Sequence, residues 1–88
     1  MPVKTITTWN AMITEAERDI SNAELAIRRA AGKITTEAVF SADVGIVDGK
    51  PTVAPYTTTR EWATEADAQD WSAWVDEHIS TDHSTKIV

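Results

Sequence analysis

Ile34-Thr-Thr-Glu-Ala-Val-Phe-Ser-Ala-Asp-Val-Gly-Ile46 alternates along much of its length between apolar and polar side chains, and Val47-Asp-Gly-Lys50 follows it directly. A period of two is typical of a β-strand with one buried face. Asp48-Gly49 between two strand-like runs is a strong hairpin signal, because a type I′ turn needs positive φ at both central residues. A returning strand is expected over about 52–62. This stretch therefore predicts a central β-hairpin that turns at Asp48-Gly49.

The returning strand does not alternate cleanly. A two-residue turn would pair Phe40 with Thr57, which leaves Tyr56 and Trp62 on the opposite face of the strand. Two interpretations remain open: a bulge shifts the register, or both faces of the sheet are partly covered. The prolines of this segment cannot donate hydrogen bonds to a neighbouring strand, which favours an edge or a bulge here.

The region before the hairpin carries the strongest helical pattern. Its apolar residues recur at alternating steps of four and three: Trp9, Ile13, Ala16, Ile20, Ala23, Ile27 and Ala30. Asn10 and Thr14 are both suitable N-caps and Gly32 is placed to end the helix, so a helix is predicted from about 10 to 31. Packing of this stripe on the domain's own sheet is expected, because the stripe is short and rich in alanine. Close alanine-mediated contact between helices of two subunits is the alternative.

A second helix is predicted after the hairpin. Thr64 is its expected N-cap, Trp74 lies beside its apolar face, and that face consists of Ala68, Trp71, Val75 and Ile79. With short strands at 3–8 and 84–88, the order becomes strand, helix, strand, strand, helix, strand. This order predicts a single α+β domain over residues 1–88, with two helices packed on an antiparallel sheet in the ferredoxin-like βαββαβ arrangement. The alternative is a helix–hairpin–helix unit that a partner subunit completes.

Charge and composition exclude several classes of function. The 88 residues carry a net charge of −6 and no cysteine, which excludes disulfides and thiolate metal sites. An acidic chain repels nucleic acid and anionic membranes, so neither is an expected partner. Apolar runs fall short of the ~18 residues that span a bilayer, and the start lacks the layout of a signal peptide. We expect a cytoplasmic protein, or one assembled from cytoplasmic parts.

The sequence offers few groups for catalysis. It has no glycine-rich phosphate loop and no serine in a nucleophile-elbow setting. His78 and His83 stand near carboxylates, but their spacing matches no metal motif, and a surface histidine cluster is the preferred interpretation. We therefore expect no enzyme activity, no cofactor and no metal.

Four tryptophans in a chain of this length are unusual. Trp71 is expected in the core, at helical spacing from its apolar neighbours. Trp9, Tyr56 and Trp74 are the candidates for partly exposed interface anchors, because a small core cannot cover every large aromatic side chain. They predict self-association as a homo-oligomer, or docking onto another protein.

The second helix and the residues before it are strongly acidic. Asp67, Asp70, Asp76 and Glu77 form the candidate acidic face. One interpretation is mimicry of nucleic-acid phosphates, which would block a basic groove on a nuclease or polymerase. The other is an ordinary solvated helix face.

The segment Thr59-Arg-Glu-Trp-Ala-Thr-Glu-Ala-Asp-Ala-Gln-Asp-Trp71 resembles a pattern in small uncharacterised proteins of tailed bacteriophages, and Val47-Asp-Gly-Lys-Pro-Thr-Val53 has a similar character. The resemblance covers about a quarter of the chain and brings no site residues with it. It implies a phage context, in which small domains serve as virion parts or as inhibitors of host defences. The resemblance thus implies a location in the host cytoplasm or in the virion. The leading hypothesis is thus a non-enzymatic phage structural or accessory protein that self-associates or docks onto a virion assembly. The alternative is an acidic inhibitor of a host nucleic-acid-binding defence complex.

Overall fold

A computed structural model of the chain describes residues 3–41, 45–47 and 50–88. Within these ranges the chain forms six strands and two helices. In chain order they are β1 Val3–Trp9, α1 Glu15–Ala30, β2 Ile34–Phe40, β3 Ile46–Val47, β4 Lys50–Pro51, β5 Tyr56–Trp62, α2 Glu65–His78 and β6 His83–Ile87. Both terminal strands that the sequence predicted are present.

The four longer strands form one antiparallel sheet in the order β2-β5-β1-β6. Because β1 and β2 each run antiparallel to β5, they run in the same direction on either side of it, and α1 connects them. Helix α2 makes the corresponding connection from β5 to β6, with β1 between those two strands. This is the split βαβ order of the ferredoxin-like arrangement. The predicted class, two helices packed on an antiparallel sheet, is confirmed.

The segment predicted as one hairpin forms two separate strand pairs, β3 with β4 and β2 with β5. Strands β3 and β4 pair as a separate short ribbon, with Ile46 opposite Pro51 and Val47 opposite Lys50. Positions 48 and 49, where the turn was predicted, lie outside the described residues. The returning strand of the main sheet then begins at Tyr56, four residues later than expected.

Strand β2 is irregular where it pairs with β5. Ile34 lies opposite Trp62 and Phe40 lies opposite Thr58, with two register shifts between these pairs. The predicted pairing of Phe40 with Thr57 is therefore wrong by one residue. The reason is a bulge, one of the two explanations that the sequence left open. The shift places Phe40 on the same face as Trp62, beside the core.

The core lies between the sheet and the two helices, and aromatic side chains dominate it. Trp62 is fully buried, and its indole Nε1 donates a hydrogen bond to Thr5 Oγ1 at 2.9 Å. Helix α2 contributes its predicted apolar face, and all four members are buried: Ala68, Trp71, Val75 and Ile79. Among the described residues of α1, the buried side chain is Leu25.

Candidate functional site

Helix α1 begins at Glu15 because Thr14 caps it. The amide of Glu17 donates to Thr14 Oγ1 at 3.1 Å, and the carboxylate of Glu17 reaches back to the Thr14 amide, which completes a capping box. The helix ends at Ala30, and Gly32 adopts a φ of 75° just beyond it. The helix therefore has the C-terminal boundary that the sequence predicted, but it starts at the second of the two candidate caps.

The carboxylate of Glu17 also ties α1 to the segment between α2 and β6. It accepts hydrogen bonds from the amide of Ser80 at 2.7 Å and from the amide and hydroxyl of Thr81. These bonds, led by the one from the Thr81 hydroxyl, hold the pKa of the Glu17 carboxyl at about 2, below its usual 4.5. The start of α1 is thus anchored to the far end of the chain.

The face of α1 that points towards the sheet is largely polar. Leu25 lies at its centre, with Arg18, Ser21 and Arg28 at helical spacing around it, each half-buried. Arg28 donates from Nε to Glu24 at 2.9 Å, and its guanidinium lies 5.6 Å from the Trp71 ring centroid. This inner face therefore presents charge and hydrogen-bonding groups, rather than a continuous apolar surface, to the sheet.

The outer face of α1 is apolar. Ala16 precedes Leu25 by nine residues, which is about two and a half turns, so the two residues lie on opposite sides of the helix. The side chains of Ile20 and Ile27 are 44% and 64% exposed. We call the exposed apolar set the outer stripe; it consists of Ala16, Ile20, Ala23, Ile27 and Ala30.

The expectation that this stripe packs on the domain's own sheet is wrong. Trp9, the first residue of the predicted pattern, belongs to β1, and Ile13 precedes the helix and packs beside the core. From Ala16 onwards the pattern faces solvent, because Leu25 and the arginines occupy the side facing the sheet. An amphipathic helix whose apolar side faces outward is an unpartnered surface.

Charge is distributed unevenly along α1. Its first turns carry Glu15 and Asp19, whereas Arg29 and Lys33 lie at or just beyond its C-terminal end. This order matches the helix dipole, which favours anions at the N-terminus and cations at the C-terminus. It also makes the two ends of the outer stripe electrostatically complementary to each other.

The three aromatic interface candidates do not share one surface. Trp9 and Tyr56 are 8% and 4% exposed, so the expectation that they stand partly exposed is wrong. They face each other across the β1–β5 pair, with ring centroids 6.3 Å apart, and the neighbouring Phe40 covers Tyr56 further. Trp74 is half-buried, as predicted, and stacks between Trp71 and His78.

The four acidic candidates on α2 have different surroundings. Asp70 and Glu77 are exposed and lie seven residues apart, hence on one helix face. Asp76 accepts a hydrogen bond from His83 Nε2 at 3.0 Å, and Asp67 follows the N-cap, its amide donating to Thr64 Oγ1. The described structure thus leaves two of the four carboxylates on a common solvated face.

The two histidines are held apart by different partners. His78 Nδ1 contacts the carbonyl of Trp74 at 2.9 Å, whereas His83 packs on Trp9 and pairs with Asp76. Over residues 3–41, 45–47 and 50–88, no group of three histidine or carboxylate side chains converges in a way that could hold a metal ion. Nor does any helix in these ranges have the length and apolar character needed to cross a bilayer.

A cavity of about 310 Å³ lies between the inner face of α1 and the sheet. Arg18 and Arg60 line it, together with the aromatic rings of Trp9, Tyr56 and Trp71. Sequence reasoning missed this site. The available signal was the position of Arg60 two residues before Trp62, which places it on the inward side of β5.

No protein-family model matches this sequence, and no curated protein matches it significantly. Among solved structures, the chain is similar to a dimeric ferredoxin-like protein of unknown function from Thermobifida fusca YX. The sequences are 15% identical, the TM-score is 0.46, and the similarity covers 100% of this chain and 90% of the other.

Proposed function

We propose that this chain is a non-enzymatic module that associates with a second copy of itself through the outer stripe of α1. We propose further that it serves as a structural or accessory part of a tailed-bacteriophage particle. The observation that carries the self-association is the exposure of the outer stripe, in which Ile27 is 64% exposed. An exposed apolar helix face is typical of a protein–protein contact.

The size of the side chains in the outer stripe suits helix-to-helix packing. Burial of a whole isoleucine side chain contributes about 1.5–3 kcal/mol. Since Ile20 and Ile27 are 44% and 64% exposed, each can gain about half of this in a dimer, and together they provide most of the driving force. The alanines between them allow the two helix backbones to approach closely. Since one pair of helices forms only a small interface, we expect a dimer that dissociates on dilution.

Charge favours an antiparallel arrangement of the two helices. A twofold axis through Ala23, the middle residue of the outer stripe, would place Ile20 of one copy near Ile27 of the other. The same arrangement brings the acidic first turns, with Glu15 and Asp19, beside the basic end of the partner helix. Opposite charges and opposed helix dipoles then support the same orientation.

The phage context rests on the resemblance of the segment 59–71 to small tailed-phage proteins. This segment forms the end of β5, the capped start of α2 and the buried Trp71. It contributes Trp62, Ala68 and Trp71 to the core and leaves the outer stripe available for assembly. A small self-associating domain of this kind fits a virion component better than a catalyst.

The oligomeric state of the purified protein tests the self-association. Sedimentation velocity over a wide range of concentration is expected to show a monomer–dimer equilibrium for the natural sequence and a monomer for Ile27→Lys. Val39→Lys is the matched control, because Val39 is 60% exposed on the face of the sheet that points away from the two helices. A monomer at every concentration would exclude the proposal, as would dissociation by Val39→Lys with Ile27→Lys still dimeric.

The phage role needs a separate test with partners from an infected cell. Tagged protein, recovered from an infected-cell lysate and analysed by mass spectrometry, is expected to bring down capsid, neck or tail proteins. Recovery of a host nucleic-acid-binding complex would favour the acidic inhibitor instead. Such binding would weaken steeply with salt and with Asp70→Asn plus Glu77→Gln, the two exposed carboxylates on one face of α2.

A further inference from the structure

The cavity beneath α1 concentrates positive charge inside an acidic protein. Arg18 and Arg60 both line it, and none of its described lining residues is an aspartate or a glutamate. The chain as a whole has a net charge of −6. Two arginines that line one cavity favour an anion within it.

Arg60 is placed rigidly in this cavity. It occupies β5, the second strand of the sheet, opposite Thr5 of β1, and its side chain is 9% exposed. Its guanidinium lies 5.6 Å from the Trp71 ring centroid, so the aromatic ring supports one face of the cation. An arginine held in this way keeps a fixed orientation, which suits paired hydrogen bonds to a carboxylate.

Arg18 reaches the same space from α1. Burial raises the pKa of the Tyr56 hydroxyl, and the positive charge of Arg18 opposes this rise, which places the two groups within electrostatic reach. Tyr56 therefore remains a neutral hydrogen-bond donor at physiological pH. The cavity offers two guanidinium groups and a phenol to one anion.

Four aromatic rings contribute to the remaining wall, beside aliphatic and small polar side chains. Trp9 and Tyr56 stack with an interplanar angle of 24°, and Phe40 packs against Tyr56 at 6.1 Å between ring centroids. These rings favour a ligand with a planar apolar part. A free inorganic anion has no such part. A volume of about 310 Å³ accommodates one small molecule. It is too small for a peptide segment.

We infer that this cavity binds a small aromatic carboxylate, with the carboxylate at Arg18 and Arg60 and the ring against Trp9 and Tyr56. The described lining residues include no histidine, cysteine or carboxylate that could act as a general base or a thiol nucleophile. This inference concerns the inner face of α1 and is independent of dimerisation through the outer stripe.

Isothermal titration calorimetry with 2-naphthoate as the probe tests the inference. The neutral analogue 2-naphthalenemethanol and inorganic phosphate are titrated in parallel. We expect naphthoate to bind at least tenfold more tightly than either control, because only naphthoate combines a ring with a carboxylate. Amide chemical shifts in ¹⁵N-labelled protein should change at β5 residues around Arg60 and at the inner face of α1.

Arg18→Gln is expected to weaken naphthoate binding about tenfold, the loss of one charged contact. Arg29→Gln is the matched control, since it removes the same charge from an exposed residue of the same helix that does not line the cavity. Equal affinity for the acid and the alcohol would overturn the inference. So would tighter binding of phosphate, equal effects of the two arginine variants, or no binding of naphthoate at all. The monomeric Ile27→Lys variant should retain binding, and this separates failure of the site from failure of dimerisation.

Discussion

The hydroxyl of Thr81 donates a hydrogen bond to the carboxylate of Glu17, although the two residues are separated by 64 positions in the chain. Glu17 belongs to the first turn of α1, and Thr81 lies between α2 and β6. The same carboxylate also closes the capping box with Thr14. One side chain thus both starts a helix and attaches it to the last strand of the sheet.

Acid is expected to loosen this attachment. The pKa of Glu17 is lowered to about 2 in the folded chain, from the usual 4.5, chiefly by the Thr81 hydrogen bond. Since the folded pKa is the lower one, the contribution of Glu17 to stability is complete above pH 4.5 and is lost as the pH falls towards 2. Urea unfolding followed at pH 7 and pH 3 should show this loss in the natural sequence.

Glu17→Gln is expected to reduce that pH dependence, because its side chain does not titrate, and to lower the free energy of unfolding at pH 7 by about 1 kcal/mol through the weakened cap. Glu15→Gln is the control, since Glu15 lies in the same helical turn and is exposed. A pH dependence that is the same in Glu17→Gln and in the natural sequence would contradict the prediction.

Alanine substitutions on the two sides of α1 should have very different effects on the monomer. Leu25→Ala removes the buried side chain of this helix and is expected to lower the free energy of unfolding by about 2–3 kcal/mol. Ile27→Ala removes a side chain that is mostly exposed, and we expect a change below about 0.5 kcal/mol. Urea titrations at high dilution, where the chain is monomeric, measure the change in the free energy of unfolding for each variant. The reverse order would show that the outer stripe packs on the sheet after all.

The buried hydrogen bond between Trp62 and Thr5 gives a third prediction. Thr5→Val keeps the shape of the side chain but leaves the indole Nε1 of Trp62 without its acceptor. A buried donor that loses its partner costs about 1–3 kcal/mol, so the free energy of unfolding should fall by this amount. Thr8→Val, on the opposite face of the same strand, should have little effect on thermal unfolding.

Gly32 lies just after the C-terminal end of α1 and adopts a φ of 75°. A Cβ atom there would meet no neighbouring atom within 4 Å, so the penalty for Gly32→Ala comes from the backbone conformation alone. We expect Gly32→Ala to lower the free energy of unfolding by about 1 kcal/mol and Gly32→Asn by less, because asparagine tolerates positive φ better. Thermal melts of the two variants distinguish them; a larger loss for Asn would indicate a steric cause instead.

Local signals in the sequence were sufficient for most of the fold. Thr64 caps α2 as predicted, with its hydroxyl accepting from Asp67, and the spacing of Ala68, Trp71 and Val75 identified the buried face of that helix. Such features depend on neighbours within a turn or two. These local conformations persist in the folded chain because the tertiary contacts favour the same conformations.

The candidate site depended on long-range packing, and there the sequence was a poor guide. A period of 3.6 shows that α1 has an apolar face, but it does not say whether a sheet or a second molecule covers that face. From the sequence, Trp9 and Tyr56 were expected to be partly exposed, because a small core cannot bury every aromatic side chain. In the structure the β1–β5 register places them opposite each other, where neighbouring side chains bury them. The bulge in β2 likewise depends on how two strands meet, and no residue of β2 alone specifies it.

Helix α1 separates the arginine-lined cavity from the outer stripe by no more than the width of one helix, about 10 Å. A molecule bound on the inner side and a subunit bound on the outer side would therefore hold the same rigid element in place. If either partner changes the position or order of α1, its binding constant must depend on the concentration of the other, and by the same factor in both directions. In that case the concentration of a small aromatic carboxylate would set the proportion of the protein that is assembled.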